Sequence, residues 1–299
     1  MAHPSQDHST GPLQCSVRGC TRPLRLVDSC LRCDANHSFD RAKYGYWSLL
    51  QPQDRKSVTP GDCDEAVDAR RDWLSFGHMA GLIELIRTEL LRDVQSVTAS
   101  DSDARPVCVA DLGCGEGAFS QSVFRDQPNH HFIGLELSKR ALRYAARSWP
   151  QATWVLANAD RTLPLRDGSC NVVTSFFGRR PVDEIKRVLH SSGVCIVAVP
   201  GENDLIQLRE KAQSQGIRRN RIQQIVDQFS AAGLKLRRQQ LWEHEVVLNR
   251  DAMMTAMRMT YRAARHSQRD RLAAESIDGL PLTLAADLMV FSHKEATPK

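Results

Sequence analysis

The chain has 299 residues, 41% hydrophobic and 25% charged, with 40 Lys and Arg against 35 Asp and Glu for a net charge of +5. That composition excludes a disordered or fibrous protein. The best apolar run, Val194 to Pro200, falls far short of the roughly 20 residues a membrane-spanning helix needs. The opening residues MAHPSQDHSTGPLQ lack an apolar signal core, so a cytoplasmic, reducing location is expected.

Nine cysteines without a secretory signal argue against a disulfide framework. Cys15, Cys20, Cys30 and Cys33 cluster, with His37 directly behind them, whereas Cys63, Cys108, Cys114, Cys170 and Cys195 are scattered. Two short ligand pairs separated by a turn-rich stretch suit one tetrahedral zinc ion, and so short a segment cannot otherwise bury a core. Five candidates compete for four positions, and spacing alone favours the all-cysteine set. The surrounding Arg18, Arg22, Arg25, Arg32, Arg41 and Lys43 make the segment basic, as an RNA-reading surface would be.

Farther along, VCVADL reads as a strand, GCGEG as a loop, AFSQSVFRDQ as a helix and HFIGLEL as a second strand. In this unit Gly113 permits a tight turn and Gly115 and Gly117 let backbone approach a ligand, while Glu136 closes the second strand where it can accept from a ribose diol. Such a loop suits nicotinamide, flavin or S-adenosylmethionine. Asp111 before the glycines and Glu116 among them repel phosphate, and the third glycine of a pyrophosphate site is missing. A phosphate-free cofactor with a ribose and an amino-acid end, S-adenosylmethionine, therefore fits best.

TWVLANA gives a third strand that brings Asn158 and Asp160 toward the adenine, and LPLRDGSCNVVTSFF gives a fourth. The run VDEIKRVLHSSGVCIVAVPG reads as helix, turn and fifth strand; NRIQQIVDQFSAAG as a helix; LKLRRQQLWEHEVVL and LTLAADLMVFSHK as the last two strands. The glycine motif resembles the first motif of class I methyltransferases, which implies an α/β fold, a Rossmann-like class I methyltransferase sheet of seven mostly parallel strands, here with an N-terminal zinc-binding domain. The expected division is a zinc-binding knuckle over 1–42, a connecting helical segment over 43–105 and the methyltransferase domain over 106–299. Met253, Met254, Met257 and Met259 read as helix core.

FDRAKYGYWSLLQPQ (Phe39 to Gln53), PGD with EAVDARRDWLSFGH (Pro60 to His78), DLGCGEG (Asp111 to Gly117) and VPGENDLIQL (Val199 to Leu208) occur in that order. Together with the zinc segment, these motifs resemble the RlmA-type ribosomal RNA guanine-N1 methyltransferases across nearly the whole chain. The resemblance implies methyl transfer from S-adenosylmethionine to N1 of a guanine in a large-subunit rRNA hairpin, a zinc segment that grips RNA, and a homodimer. It also implies a Cys-x3-His pair as the last two zinc ligands, which gives Cys15, Cys20, Cys33 and His37 and leaves Cys30 as an extra thiol. Two positions depart from the family pattern: Met79 replaces a cofactor-touching tyrosine, and Asp204 replaces a histidine. Cofactor contact is still expected at both.

Guanine N1 carries a proton that something must accept. Asp204 is nominated for that polar role, with Asp62 and Glu65 as rivals. Tyr44, Tyr46 and Trp47, beside Arg41 and Lys43, are candidates to hold an unstacked base, although packing against the main domain would also account for them. Among the arginines, Arg179 and Arg180 follow the fourth strand at the edge where ligands bind. Arg70 and Arg71 lie on a helix; Arg218, Arg219 and Arg221, with Arg258, Arg262, Arg265, Arg269 and Arg271, could extend an RNA footprint. Two rival readings stand beside this one: a methyltransferase acting on a quinone or antibiotic, and an inactive zinc-bearing RNA-binding protein.

Overall fold

The computed structural model describes residues 9–55, 63–100, 106–127, 129–213, 221–260 and 279–293. Asp62, Arg218, Arg219, Arg262, Arg265, Arg269 and Arg271 lie outside them. The chain begins with a four-stranded antiparallel sheet: β1 (Ser9–Gln14), β2 (Pro23–Val27), β3 (Cys30–Arg32) and β4 (Ser38–Asp40), in that spatial order. These strands were not expected, because runs of three to six residues interrupted by cysteine turns show no period to read. Each of β2, β3 and β4 buries a single side chain: Leu24, Leu31 and Phe39.

Those three side chains, with Leu13, enter the same buried cluster as Leu163, Leu165, Cys170 and Val173 of the large domain. The backbone is joined there too. Gln14 N–H donates to Pro164 O at 3.0 Å, and Arg166 N–H donates to Pro12 O at 2.8 Å. The zinc segment thus has no core of its own and borrows its neighbour's, as a sheet this small must.

A connecting stretch follows: β5 (Trp47–Ser48), a 3-10 turn (Pro52–Arg55), α1 (Asp64–Ser75) and α2 (Ala80–Ser100). The large domain then runs β6 (Val107–Leu112), α3 (Ala118–Phe124), β7 (His130–Glu136), α4 (Lys139–Ser148), β8 (Thr153–Leu156), β9 (Cys170–Phe176), α5 (Val182–Val188) and β10 (Leu189–Pro200). It ends with α6 (Ile206–Gln213), α7 (Ile222–Ala231), β11 (Leu234–Leu248), α8 (Arg250–Thr260) and β12 (Leu280–His293). The sheet order is β11-β12-β10-β9-β6-β7-β8-β5. Strands β10 through β5 in that order are parallel, and β12 and β11 are antiparallel additions.

Seven of these strands are the expected ones, and the eighth, β5, is two residues from the connecting stretch laid beside β8. The central strands are buried on both faces, so β6 reads as a continuous apolar run and not as an alternation. In α4, Ala141, Leu142, Ala145 and Ala146 point inward, and Ser138 Oγ caps the helix by accepting from Ala141 N–H. Helix α2 is tied to β11 through Glu89, a buried carboxylate that accepts from Arg238 Nε at 2.6 Å and from Arg92 Nη1 at 2.7 Å. Two guanidinium partners offset the cost of burying that charge. Met253 and Met257 are buried on α8 and Met254 and Met259 partly so.

Strand order reverses between β6 and β9, so their carboxyl ends diverge into a crevice. Trp154 of β8 is fully buried, with its ring against two glycines. A Cβ on Gly134 would lie 2.4 Å from that ring, and one on Gly117 would lie 2.6 Å from it. Gly134→Ala is expected to destabilise the protein by about 3 kcal/mol, lowering the melting temperature by roughly 5 to 10 °C in calorimetry.

Candidate functional site

The zinc segment brings four donors together. Cys15 follows β1, Cys20 closes the next turn, Cys33 follows β3 and His37 precedes β4, and their ligand atoms all lie within 4.8 Å of one another. Cys15 Sγ is 3.4 Å and Cys33 Sγ 3.5 Å from His37 Nδ1, and Cys20 Sγ is 3.9 Å from Cys33 Sγ. Metal bonds of about 2.1 to 2.3 Å in a tetrahedron require donor separations of about 3.4 to 3.8 Å, so the set fits zinc. Burial pushes the Cys15 thiol up to about 12, so a thiolate there needs the positive charge a metal brings. Burial acts the same way on Cys33, but backbone donors at His37 and Ala35 outweigh it and hold that thiol below its ordinary value. Cys30 stays apart, with its Sγ directed to Val27 O at 3.4 Å.

The second site lies over the carboxyl ends of β6 and β7. Gly113, Gly115 and Gly117 all take positive φ, and Gly117 opens α3. Glu136 holds this loop from the end of β7: Oε2 accepts from Gly115 N–H at 3.1 Å, and Oε1 accepts from Leu137 and Ser138 N–H at 2.7 Å. Burial raises the affinity of its carboxyl for a proton, against the pull of those donors and of the nearby Arg70 charge. Glu116 is buried beside the glycines. A loop lined with carboxylates and without side chains suits a phosphate-free nucleoside, and S-adenosylmethionine meets that condition.

Several predicted site residues turn out to be engaged by the fold. Asp111 is 1% exposed; Oδ1 accepts from Thr174 Oγ1 at 2.7 Å and Oδ2 from Ser120 Oγ. Burial lifts its carboxyl to about 6, partly offset by those two hydroxyls. Asn158 donates from Nδ2 to Asp54 O and accepts from Asp160 N–H, both at 2.9 Å, which is turn chemistry that docks the 3-10 turn on β8. Asp160 itself pairs with Arg179 at 3.6 Å. Met79 is partly buried where two apolar clusters meet, alongside Trp242. Asp204 sits in the turn after β10, and its Oδ1 accepts from Ala285 N–H at 3.0 Å.

The aromatic cluster divides. Tyr46 is buried in the core and Trp47 packs in β5, so neither offers a free face; only Tyr44 is exposed, with Arg143 stacked on it at 4.6 Å. Arg71 stacks on Tyr144 at 4.6 Å, beside an Arg140 fork that grips Asp68 at 2.6 and 2.9 Å and joins α1 to α4. That ion pair places Arg70 over the cofactor loop: its Nη1 would lie 3.3 Å from a Cβ on Gly115. From the sequence Arg70 is only a helix residue that ranks behind Arg179 and Arg180 for RNA, because nothing local reveals which way α1 turns.

Two family models match the chain: the RlmA N-terminal zinc ribbon over residues 13–58 and a methyltransferase domain over residues 109–193. A Micromonospora griseorubida protein, provisionally named a 23S rRNA (guanine-N1) methyltransferase, is 33% identical over 67% of this chain and 69% of its own length. The chain belongs to the RlmA-type 23S rRNA (guanine-N1) methyltransferase family. A Streptomyces fradiae 23S rRNA (guanine(748)-N(1))-methyltransferase is 35% identical over 63% of this chain and 64% of that protein. The match therefore spans about two thirds of each relative. A Bacillus subtilis relative is 26% identical over 59% of the chain and 60% of its own length. S-adenosylmethionine and a structural zinc ion are thus the cofactors of this RlmA-type chain.

Two expectations follow. His37→Ala should lower bound zinc far more than Cys30→Ala in metal analysis of the purified protein; the reverse order would restore the all-cysteine set. Glu136→Ala removes the anchor of the glycine loop, and calorimetric titration should give at least about tenfold weaker S-adenosylmethionine binding.

Proposed function

We propose that this chain transfers a methyl group from S-adenosylmethionine to N1 of a guanine in a hairpin of 23S ribosomal RNA. The observation that carries the reading is the fusion of a basic zinc ribbon to a phosphate-free nucleoside site through one shared core. A small-molecule methyltransferase has no use for the ribbon. When bound, S-adenosylmethionine supplies an electrophilic methyl group on a sulfonium.

The protein's task is mainly orientation. Glu136 accepts from the ribose hydroxyls, the glycine loop admits the nucleoside, and Arg70 meets the carboxylate of the amino-acid end while Asp111 and Glu116 favour its positive groups. Met79 packs on the cofactor by its thioether, and Asn158 shapes the adenine end through the turn it holds. Asp204, fixed at the carboxyl end of β10 by Ala285, is the nominated acceptor for the N1 proton. Glu65 is exposed in the first turn of α1.

Cys15, Cys20, Cys33 and His37 hold the zinc, and the ribbon's Arg18, Arg22, Arg25 and Arg32 face RNA phosphates together with Arg179 and Arg180. The protein acts in the cytoplasm as a homodimer. Support for self-association comes from β11, the edge strand, where Leu241 is 57% and Val247 69% exposed. Among the described residues no helix is long and apolar enough to cross a membrane.

The test is to compare rRNA from cells with and without the gene by nucleoside mass spectrometry and primer extension. N1-methylguanine, with a reverse-transcriptase stop at one hairpin guanine, is expected only where the gene is present. An unchanged guanine profile sinks the reading.

A further inference from the structure

The loop after β9 carries an aromatic ring that the cofactor site does not account for. Phe177 has φ +58°, a left-handed conformation that a bulky side chain keeps only when its surroundings enforce it. They do so here: Phe177 N–H donates to Ala198 O at 2.8 Å, Ser175 Oγ to Arg179 O at 2.9 Å and Arg180 Nη1 to Gly178 O at 3.1 Å. Gly178 is part of the same device, since a Cβ there would lie 2.5 Å from Leu112 O. With no side chain in the way, the loop presses on the end of β6. A Cβ on Gly113 would be 3.5 Å from Gly178 Cα and 3.6 Å from Arg179 N, so this segment forms one wall of the crevice beside the cofactor loop.

Phe176 turns into the core, whereas Phe177 stays 41% exposed. Among the described residues its ring contact is edge-on with Phe119 of α3, centroids 6.1 Å apart, which steadies the ring without covering it. Beside it stands a group of guanidiniums. Arg179 pairs with Asp160 at 3.6 Å, Arg180 donates to Gly178 O, and burial, then the nearby charges of Arg221 and Arg179, weaken the hold of Arg180 on its proton.

Guanine N1 lies on the pairing edge, so the base must leave its stack before a methyl group can reach it, and an aromatic face offsets the stacking lost. We propose that Phe177 is the platform on which the extruded target guanine stacks, with Arg179, Arg180 and Arg221 meeting the phosphates that flank it. This rests on the RNA reading above and adds the residue that holds the base. The left-handed backbone is held by the loop's own hydrogen bonds, and in it the ring stays exposed.

The test uses the full zinc-loaded chain, saturating S-adenosylmethionine and a transcript of the 23S rRNA hairpin, comparing wild type with Phe177→Gly and Phe177→Trp. Glycine accepts the left-handed φ without strain, so Phe177→Gly should melt within about 3 °C of wild type and bind S-adenosylmethionine within about twofold of it. Its kcat/KM for RNA should nevertheless fall about 10- to 100-fold, and Phe177→Trp should stay within about threefold of wild type. Wild-type kcat/KM in the glycine variant overturns the proposal. So does weakened cofactor binding or a large loss of melting temperature in that variant, which would assign Phe177 to loop integrity. Methylation by the wild type is read first: its absence overturns the RNA reading and this proposal together, whereas its presence leaves the stacking role alone at stake.

Discussion

One buried carboxylate organises the site. Asp111 ends β6 inside the protein, and its two oxygens accept from Ser120 on α3 and Thr174 on β9. It therefore ties together the first strand, the helix that the glycine loop opens and the strand on the other side of the topological switch. An acid with so little exposure resists ionisation, and burial does lift it to about 6; the two hydroxyls are what make the position tolerable. The crevice between β6 and β9 can hold a ligand only while those elements keep their spacing, and this carboxylate links all three. Asp111 thus holds the walls of the crevice, while Glu136 anchors the glycine loop from the end of β7.

The zinc ribbon obeys a related constraint. Four short strands bury too little apolar surface to fold alone, so metal ligation and a shared core do the work together. Leu13, Leu24, Leu31 and Phe39 pack against Leu163 and Leu165, so the ribbon is held to the loop between β8 and β9. The stretch behind it continues the attachment, with β5 paired to β8 and the 3-10 turn bonded to Asn158. A ribbon attached in this way is held in place relative to the crevice.

Helix α1 shows how far positioning reaches beyond the sheet. The Arg140 fork on Asp68 and the stacking of Arg71 on Tyr144 use two residues of one helical turn to turn a third, Arg70, toward the glycine loop. Neighbouring arginines in one motif have different roles: one packs and one faces the ligand.

The sequence by itself determined seven strands of the large sheet, β6 to β12, and much of the chemistry, though not the short strands β1 to β5. Continuous apolar runs marked the buried parallel strands, GCGEG with the acid at Glu136 marked the nucleoside site, and clustered cysteines with His37 marked the metal centre. These signals are local, set by backbone and side-chain chemistry within a few residues, so they survive without a fold. Tertiary structure decided which of those groups are committed elsewhere. Asn158 and Asp111 carry ligand-like side chains, yet partners up to 104 positions away in the chain engage them. Tyr46, an aromatic among basic residues, is core because β5 joins an edge that its two residues could not announce. Phe177 follows an ordinary apolar strand and gives no local sign; its exposure and left-handed backbone come from contacts with β6 and β10, which only folding brings beside it.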